Sequence, residues 1–162
     1  MTDTAARKYT KATPAQVWAV LSDGYGYADW VHGTKEVRDV DAGWPAEGTA
    51  LHYTAGVGRV TYDGETTVQV SQSLGRLELE VDAGRAGSVH VSIVIEPSGA
   101  GSIVTLDERP LSGPARLLLN PLSRLGFFAR TKVMIVDLLQ LAEAESPTAS
   151  PSDSSPREDS SD

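Results

Sequence analysis

The sequence contains no cysteine among its 162 residues. This absence excludes disulfide bonds, thiolate metal sites, cysteine nucleophiles and iron–sulfur clusters held by cysteine. It is also typical of proteins from reducing compartments. The first residues, Met1 to Lys8, are not followed by the apolar segment of a secretory signal. No run approaches the roughly 18 apolar residues that a membrane span needs. We therefore expect a cytoplasmic protein without stable membrane insertion.

Positive charge is also scarce. Fourteen Lys and Arg residues stand against 22 Asp and Glu, which gives a formal net charge of −8. This balance disfavours a phosphate backbone as partner, so we expect no nucleic-acid binding. Hydrophobic residues make up 40% of the chain and charged residues 22%. That composition is sufficient for a packed core, and the length fits one domain.

The clearest boundary in the sequence lies near the C-terminus. Residues 146–162 read SPTASPSDSSPREDSSD, a segment without any aromatic or large aliphatic side chain. Such a segment cannot bury enough apolar surface to offset the entropy of ordering it. We expect a folded domain over residues 1–145 and a disordered acidic tail over residues 146–162.

The order of predicted elements within the domain is informative. Residues 6–12 are compatible with a first strand, and Thr13-Pro14 resembles an N-cap followed by proline at the first helical position. A helix over residues 15–21 and a second short helix over residues 25–31 follow. The periodicity then changes to two, and Gly-rich connectors separate the segments. Six strands are predicted at residues 36–40, 49–55, 60–70, 74–81, 88–96 and 102–107.

A long helix is predicted over residues 114–144, with an interruption at Asn120-Pro121. Alternation within the strands indicates an antiparallel sheet with one covered face, and this helix is the expected cover. The face predicted to pack on the sheet holds Leu118, Leu122, Leu125, Ala129 and Val136, widened by Phe128, Ile135 and Leu139. The opposite face is predicted to hold Ser123, Gly126, Arg130 and Asp137.

Three segments resemble a known superfamily. Residues 14–23 read PAQVWAVLSD, similar to the P-x-x-V-W-x-x-L-x-D opening of SRPBCC proteins, which include START, Bet v1-like and polyketide cyclase/dehydrase proteins. Residues 27–34 resemble the segment that follows this opening. Residues 43–48, GWPAEG, are similar to a turn of actinobacterial members.

The resemblance implies an α+β helix-grip fold in the order β-α-α-β6-α. A curved antiparallel sheet of about seven strands would then wrap around the C-terminal helix and enclose a deep pocket. Membership does not imply a reaction, because the superfamily contains carriers, binders, cyclases and hydrolases.

No catalytic or metal motif is present. His32, His52 and His90 lie in separate predicted elements, without the spacing that zinc ligands need. No G-x-S-x-G nucleophile motif occurs. We expect no metal and no other cofactor, and we assign no catalytic residue. His32, beside Trp30 in the segment predicted to form the pocket mouth, is the histidine that could take part in function.

Side chains predicted to face inward are the candidate ligand contacts. Tyrosine or tryptophan on such a face needs a partner for its polar atom, either protein or ligand. The candidates are Trp30, Tyr53, Tyr62, Leu79, Val91, Leu106, Glu108, Phe128 and Lys132.

Glu108 and Lys132 are the two charges in that set. Strand alternation places Glu108 on the face of Val104 and Leu106, and the helical phase places Lys132 within the apolar arc. A charge in an apolar environment is costly unless it is paired or hydrated. Either both reach water at the pocket mouth, or they pair or hold the polar head of a ligand. With His32, they are the weak candidates for acid–base chemistry.

Three classes of function remain open. The first is binding or carriage of a hydrophobic molecule resembling a lipid, polyketide or isoprenoid. The second is a polyketide cyclase or dehydratase that uses pocket shape and one acid–base residue. The third is a protein-interaction domain. The absence of an inward His or Asp of catalytic type favours binding, and we expect a monomer or a weak dimer.

Overall fold

The computed structural model describes residues 5–84, 87–112 and 121–145, although not the side chains of residues 57 and 121–127. It has an α+β architecture in the predicted order, so the predicted fold class is confirmed. The elements are β1 (Ala6–Thr10), α1 (Pro14–Ser22), a 3-10 helix (Gly24–Gly26), α2 (Tyr27–Trp30), β2 (Thr34–Val40), β3 (Ala50–Val57), β4 (Val60–Gln72), β5 (Arg76–Asp82), β6 (Ser88–Ser98), β7 (Gly101–Pro110) and α3 (Pro121–Ala144).

The seven strands form one curved antiparallel sheet in the order β1-β7-β6-β5-β4-β3-β2. Strands β2 to β7 are consecutive neighbours joined by hairpin connections, whereas β1 pairs with β7 at the far edge. The segment from α1 to α2 therefore connects the two edges of the sheet. This connection brings the short helices to the same side as α3, where they pack against it.

Local sequence fixes the start of α1. The Thr13 hydroxyl accepts a hydrogen bond from the Gln16 backbone N–H at 3.2 Å, and the Thr13 N–H donates to the Gln16 side chain at 2.8 Å. This reciprocal capping box satisfies two helix-terminal donors. Pro14 occupies the first turn, where its missing N–H has no cost.

Alternation in the central strands produces one buried face, as predicted. Leu77 and Leu79 of β5, Ile93 of β6 and Leu106 of β7 are at most 2% exposed. Residues at the intervening positions face outward and pair there, as His90 does with Glu78 at 3.3 Å. The buried side chains of all the strands join the helices in a single hydrophobic core.

The predicted phase of the long helix is confirmed at Ile135 and Leu139, which are buried, and is wrong at other positions. Ala129 is exposed and Val136 half-buried, whereas Arg130 and Asp137, predicted to face away from the sheet, are both partly buried. The buried face holds Thr131, Met134, Ile135, Leu138, Leu139 and Ala142. The predicted phase depends mainly on the leucines in the first half of the segment. Leu118 lies outside the described residues, as do the side chains of Leu122, Ser123, Leu125 and Gly126.

Helix α3 packs on α1, α2, β1 and β7, which places it towards one side of the sheet. Two hydrogen bonds hold its C-terminal end: Thr10 Oγ1 donates to Glu143 at 2.7 Å, and Gln16 Nε2 donates to the Glu145 carbonyl at 2.8 Å. In the described part of the chain, no helix is both long and apolar enough to cross a membrane. The predicted disordered tail, residues 146–162, lies outside the described residues.

Candidate functional site

A cavity of about 370 Å³ lies between the sheet and α3. Among the strands, α3 packs mainly on β1 and β7. It therefore leaves space over the concave face of the other strands. Those strands supply most of the lining, which is largely apolar. The aliphatic and aromatic lining residues are Tyr27, Trp30, Val31, Val37, Leu51, Tyr53, Ala55, Tyr62, Leu79, Val81, Ala83, Val89, Val91 and Met134.

Tyr27 and Trp30 of α2 form one aromatic wall, with ring centroids 4.9 Å apart. The Tyr27 hydroxyl donates to the Leu21 carbonyl at 2.9 Å, and the Trp44 indole donates to the same oxygen at 3.1 Å. Burial raises the pKa of Tyr27 far above its ordinary value, and the hydrogen bond from this phenol fixes α2 against the end of α1. Trp30 is 1% exposed, and its indole N–H has no hydrogen-bond partner among the residues that the structure describes.

Tyr53 and Tyr62 form a second aromatic wall, with ring centroids 6.5 Å apart and nearly perpendicular rings. Tyr53 is paired with Gly64 across β3 and β4. A Cβ at Gly64 would collide with the Tyr53 ring and with the Asp82 carbonyl. Because Gly64 has no side chain, the Tyr53 ring can extend across it, and Tyr53 Oη donates a hydrogen bond to the Asp82 carbonyl at 3.0 Å. Burial raises the pKa of Tyr53, and the nearby Tyr62 and Asp82 raise it further by smaller amounts.

Glu108 forms the polar end of the cavity together with Arg130. Arg130 Nη1 lies 2.9 Å from each carboxylate oxygen of Glu108, and Thr131 Oγ1 donates to Glu108 Oε2 at 2.9 Å. Glu108 is 2% exposed, while the Arg130 side chain is 35% exposed. The buried carboxylate is therefore neutralised by a cation that still reaches water, an arrangement that limits the cost of burying charge.

The turn between α2 and β2 lies against α3 at the edge of the cavity. Arg130 Nη2 donates to the His32 carbonyl at 3.0 Å, and His32 Nε2 lies 2.9 Å from Asp137 Oδ2. His32 lines the cavity, but its side chain is 47% exposed. These contacts fix the turn to the helix at the mouth of the cavity.

Most of the predicted contact residues come together here. Trp30, Tyr53, Tyr62, Leu79, Val91 and Glu108 all line the cavity, as does the weak acid–base candidate His32. Tyr62 is 42% exposed, which places it at the rim. Leu106 lies in the core at 0% exposure and is not among the lining residues.

The two predicted helix residues are placed differently. Lys132 is exposed, with Nζ 4.5 Å from the centre of the half-buried Phe128 ring, and neither residue lines the cavity. The predicted position of Lys132 in the apolar arc is therefore wrong. Glu108 is paired with Arg130 instead, because the buried face of α3 is rotated from the predicted one.

Sequence reasoning missed Tyr27, Met134, Thr131, Arg130 and Asp137. One signal could have found part of this set. In the second half of α3, apolar residues recur at intervals of three and four: Met134, Ile135, Leu138, Leu139 and Ala142. A phase taken from those residues alone places Thr131 on the buried face.

The remaining histidines lie outside the cavity, as their predicted outward alternation indicates. His52 Nδ1 is 3.6 Å from Glu65, and His90 contacts Glu78 on the outer face of the sheet. Within residues 5–84, 87–112 and 121–145, no three His, Asp or Glu side chains are grouped as metal ligands would be.

A curved seven-stranded antiparallel sheet around a C-terminal helix, with an internal cavity between them, defines a helix-grip protein. Comparison with protein families agrees: the model described as "Polyketide cyclase / dehydrase and lipid transport" matches residues 1–128. The chain belongs to this family, within the SRPBCC superfamily. The resemblance to the SRPBCC superfamily is thereby confirmed, and the similarity of residues 43–48 to actinobacterial members stays a prediction.

Solved structures share the fold at low sequence identity. TTHA0849 from Thermus thermophilus is 18% identical with a TM-score of 0.64, and the match covers 86% of this chain and 96% of that one. NE0264 from Nitrosomonas europaea is 14% identical with a TM-score of 0.67, covering 89% and 97%. Ara h 8.0201 is 12% identical with a TM-score of 0.65, covering 87% and 97%. No protein of curated function matches the chain.

Proposed function

We propose that this protein binds or carries a hydrophobic small molecule in the cavity between the sheet and α3. The observation that carries the proposal is the cavity itself: about 370 Å³, lined mainly by aliphatic and aromatic side chains. Small-molecule sites in proteins typically measure roughly 300–1,000 Å³ and combine an apolar lining with a few polar groups. The family description, which includes lipid transport, supports the same class of ligand.

The lining suggests how such a ligand would be held. Trp30, Tyr53, Leu79 and Val91 would bury its apolar surface, which is worth about 25 cal/mol per Å² removed from water. Tyr62 would contact it at the rim. The paired Glu108 and Arg130, the charged groups of the described lining, would contact a polar part of the ligand. In this proposal Leu106, Phe128 and Lys132 have no contact role.

A fluorescence titration with N-phenyl-1-naphthylamine tests the proposal. We expect saturable binding of one probe per chain, with the blue-shifted emission of an apolar site. Ala55, 4% exposed, lines the cavity, so Ala55→Leu should occupy part of the space and weaken binding. Ala144→Leu makes the same chemical change at an exposed position of α3 and should leave affinity unchanged.

Two results would contradict the proposal. The first is an absence of saturable binding to the folded protein. The second is equal loss of affinity in Ala55→Leu and Ala144→Leu, which would place the probe on the surface and favour a protein-interaction domain.

A second candidate function, a cyclase or dehydratase reaction, is favoured by one observation. His32 lies at the cavity edge with its Nε2 2.9 Å from Asp137, and a carboxylate in that position orients an imidazole for proton transfer. Heptane-2,4,6-trione, which closes to a dimethylpyranone with loss of one water, is a simple probe. Acceleration that is lost in His32→Gln would support catalysis, and an unchanged rate would support binding alone.

Other expectations from the sequence stay predictions. They are the cytoplasmic location, the lack of a nucleic-acid partner and the monomeric or weakly dimeric state.

A further inference from the structure

The indole of Trp30 is an unusual donor. Its side chain is 1% exposed and lines the cavity, yet its N–H finds no acceptor among the described residues. Trp44, by contrast, donates its indole N–H to the Leu21 carbonyl at 3.1 Å. A buried donor without a partner costs free energy, and such donors in native proteins call for an explanation.

The described lining residues carry little net charge with which a ligand could pair. Its charged side chains are Glu108 and Arg130, which lie 2.9 Å apart and neutralise each other. His32, the other lining residue that can become positively charged, already contacts Asp137. A charged ligand would lose its hydration without gaining a new partner of opposite charge from these residues.

We infer that the cavity selects an uncharged ligand that carries an acceptor oxygen, such as a ketone, for the Trp30 indole N–H. This inference rests on the proposed binding function and specifies its ligand class. The apolar walls would hold the carbon skeleton, and the hydrogen bond from Trp30 would fix the position of the acceptor oxygen.

The described residues around the cavity do not satisfy this donor. The Trp30 nitrogen is buried, so a ligand oxygen can reach it only after a displacement of the surrounding side chains. A ligand that fills the cavity brings the free energy of its own apolar burial, which can drive the displacement.

Fluorene and 9-fluorenone test the inference, because the two tricyclic molecules differ by one carbonyl oxygen. Their affinities follow from displacement of N-phenyl-1-naphthylamine. We expect Trp30→Phe to reduce the preference for 9-fluorenone over fluorene by about five- to tenfold, the worth of one net hydrogen bond. The matched control Trp44→Phe removes an indole already bonded within the protein, so the preference should stay unchanged.

A second measurement does not depend on the folding of any variant. In the wild-type protein labelled with ¹⁵N, the Trp30 indole proton should move downfield on addition of 9-fluorenone and not on addition of fluorene. The charged analogue 9-fluorenone-2-carboxylate should bind about tenfold more weakly than 9-fluorenone, because its carboxylate loses hydration.

The outcomes separate the inference from the function on which it rests. If both neutral probes bind within the cavity but the preference is the same in wild type and Trp30→Phe, or the indole proton does not move, the inference is overturned and the binding function stands. Equal or tighter binding of the carboxylate overturns the selection for uncharged ligands. If neither neutral probe binds, the binding function fails, and the inference fails with it.

Discussion

Arg130→Met removes the cation from a buried ion pair. In the wild-type protein Arg130 Nη1 lies 2.9 Å from both carboxylate oxygens of Glu108, which is 2% exposed. Removing one member of a buried pair typically costs about 3–5 kcal/mol, because the other charge remains in an apolar environment. Water can enter where the 35% exposed guanidinium stood, so we expect a loss of about 2–4 kcal/mol in the free energy of unfolding.

The reciprocal substitution, Glu108→Gln, should cost less. It leaves the more exposed member of the pair, whose guanidinium can regain hydration, so we expect a loss of about 1–2 kcal/mol. The double variant Glu108→Gln/Arg130→Met should be more stable than the sum of the single losses implies, since the pair is lost only once.

Urea unfolding followed by circular dichroism measures these differences. Arg7→Met provides a matched control, because Arg7 forms a 3.8 Å pair with Glu96 in which both side chains are more than half exposed. Its expected cost is within about 0.5 kcal/mol. If Arg130→Met costs no more than Arg7→Met, or if the single losses simply add, the assignment of Glu108 and Arg130 as a buried, coupled pair is refuted.

Three further predictions concern the helix, the buried phenols and the tail. Leu138 is 0% exposed, so Leu138→Ala should lower the free energy of unfolding by about 2–5 kcal/mol. Val133 is 45% exposed, so Val133→Ala should be nearly neutral. Equal urea midpoints for the two variants would show that the helix phase is misassigned. Burial raises the pKa of Tyr27 and of Tyr53 above the ordinary 10.0, so unfolding releases their protons and stability should fall as pH rises past 10, by up to about 1.4 kcal/mol per pH unit for each tyrosine. Tyr53→Phe should make this alkaline loss shallower, and an unchanged slope in urea titrations between pH 9 and 11 would argue against a buried Tyr53. Truncation after Glu145 should leave the Tm unchanged, and a fall of several degrees in a thermal scan would show that residues 146–162 dock on the domain.

The sheet was predictable because its signals are local. Alternation places Leu77, Leu79 and Glu108 on the buried face without any knowledge of their neighbours, and the structure agrees. Thr13 and Pro14 likewise identify the start of α1 from adjacent residues. Each of these predictions depends on chain geometry over a few residues.

The partner of Glu108 was not predictable in the same way. It depends on the rotation of α3, and apolar residues lie on more than one side of that helix. Val133, for example, is 45% exposed, whereas Thr131 is fully buried. A hydrophobic pattern cannot select between such faces until the surface against which the helix packs is known.

The contact between Tyr53 and the Asp82 carbonyl required still more information. It joins two residues 29 positions apart in sequence and depends on the register that places Gly64 opposite Tyr53. Glycine at that position is a sign of close approach only once its cross-strand neighbour is known.

The most direct test of the account is the position of a bound hydrophobic molecule. In a sample with ¹³C-labelled methyl groups and unlabelled N-phenyl-1-naphthylamine, intermolecular NOEs identify the methyls that contact the probe. We predict NOEs to Leu51, Leu79 and Val91, which line the cavity, and none to Val94, on the other face of β6. NOEs confined to the exposed Val60 and Val133 would place the probe on the surface and contradict the account.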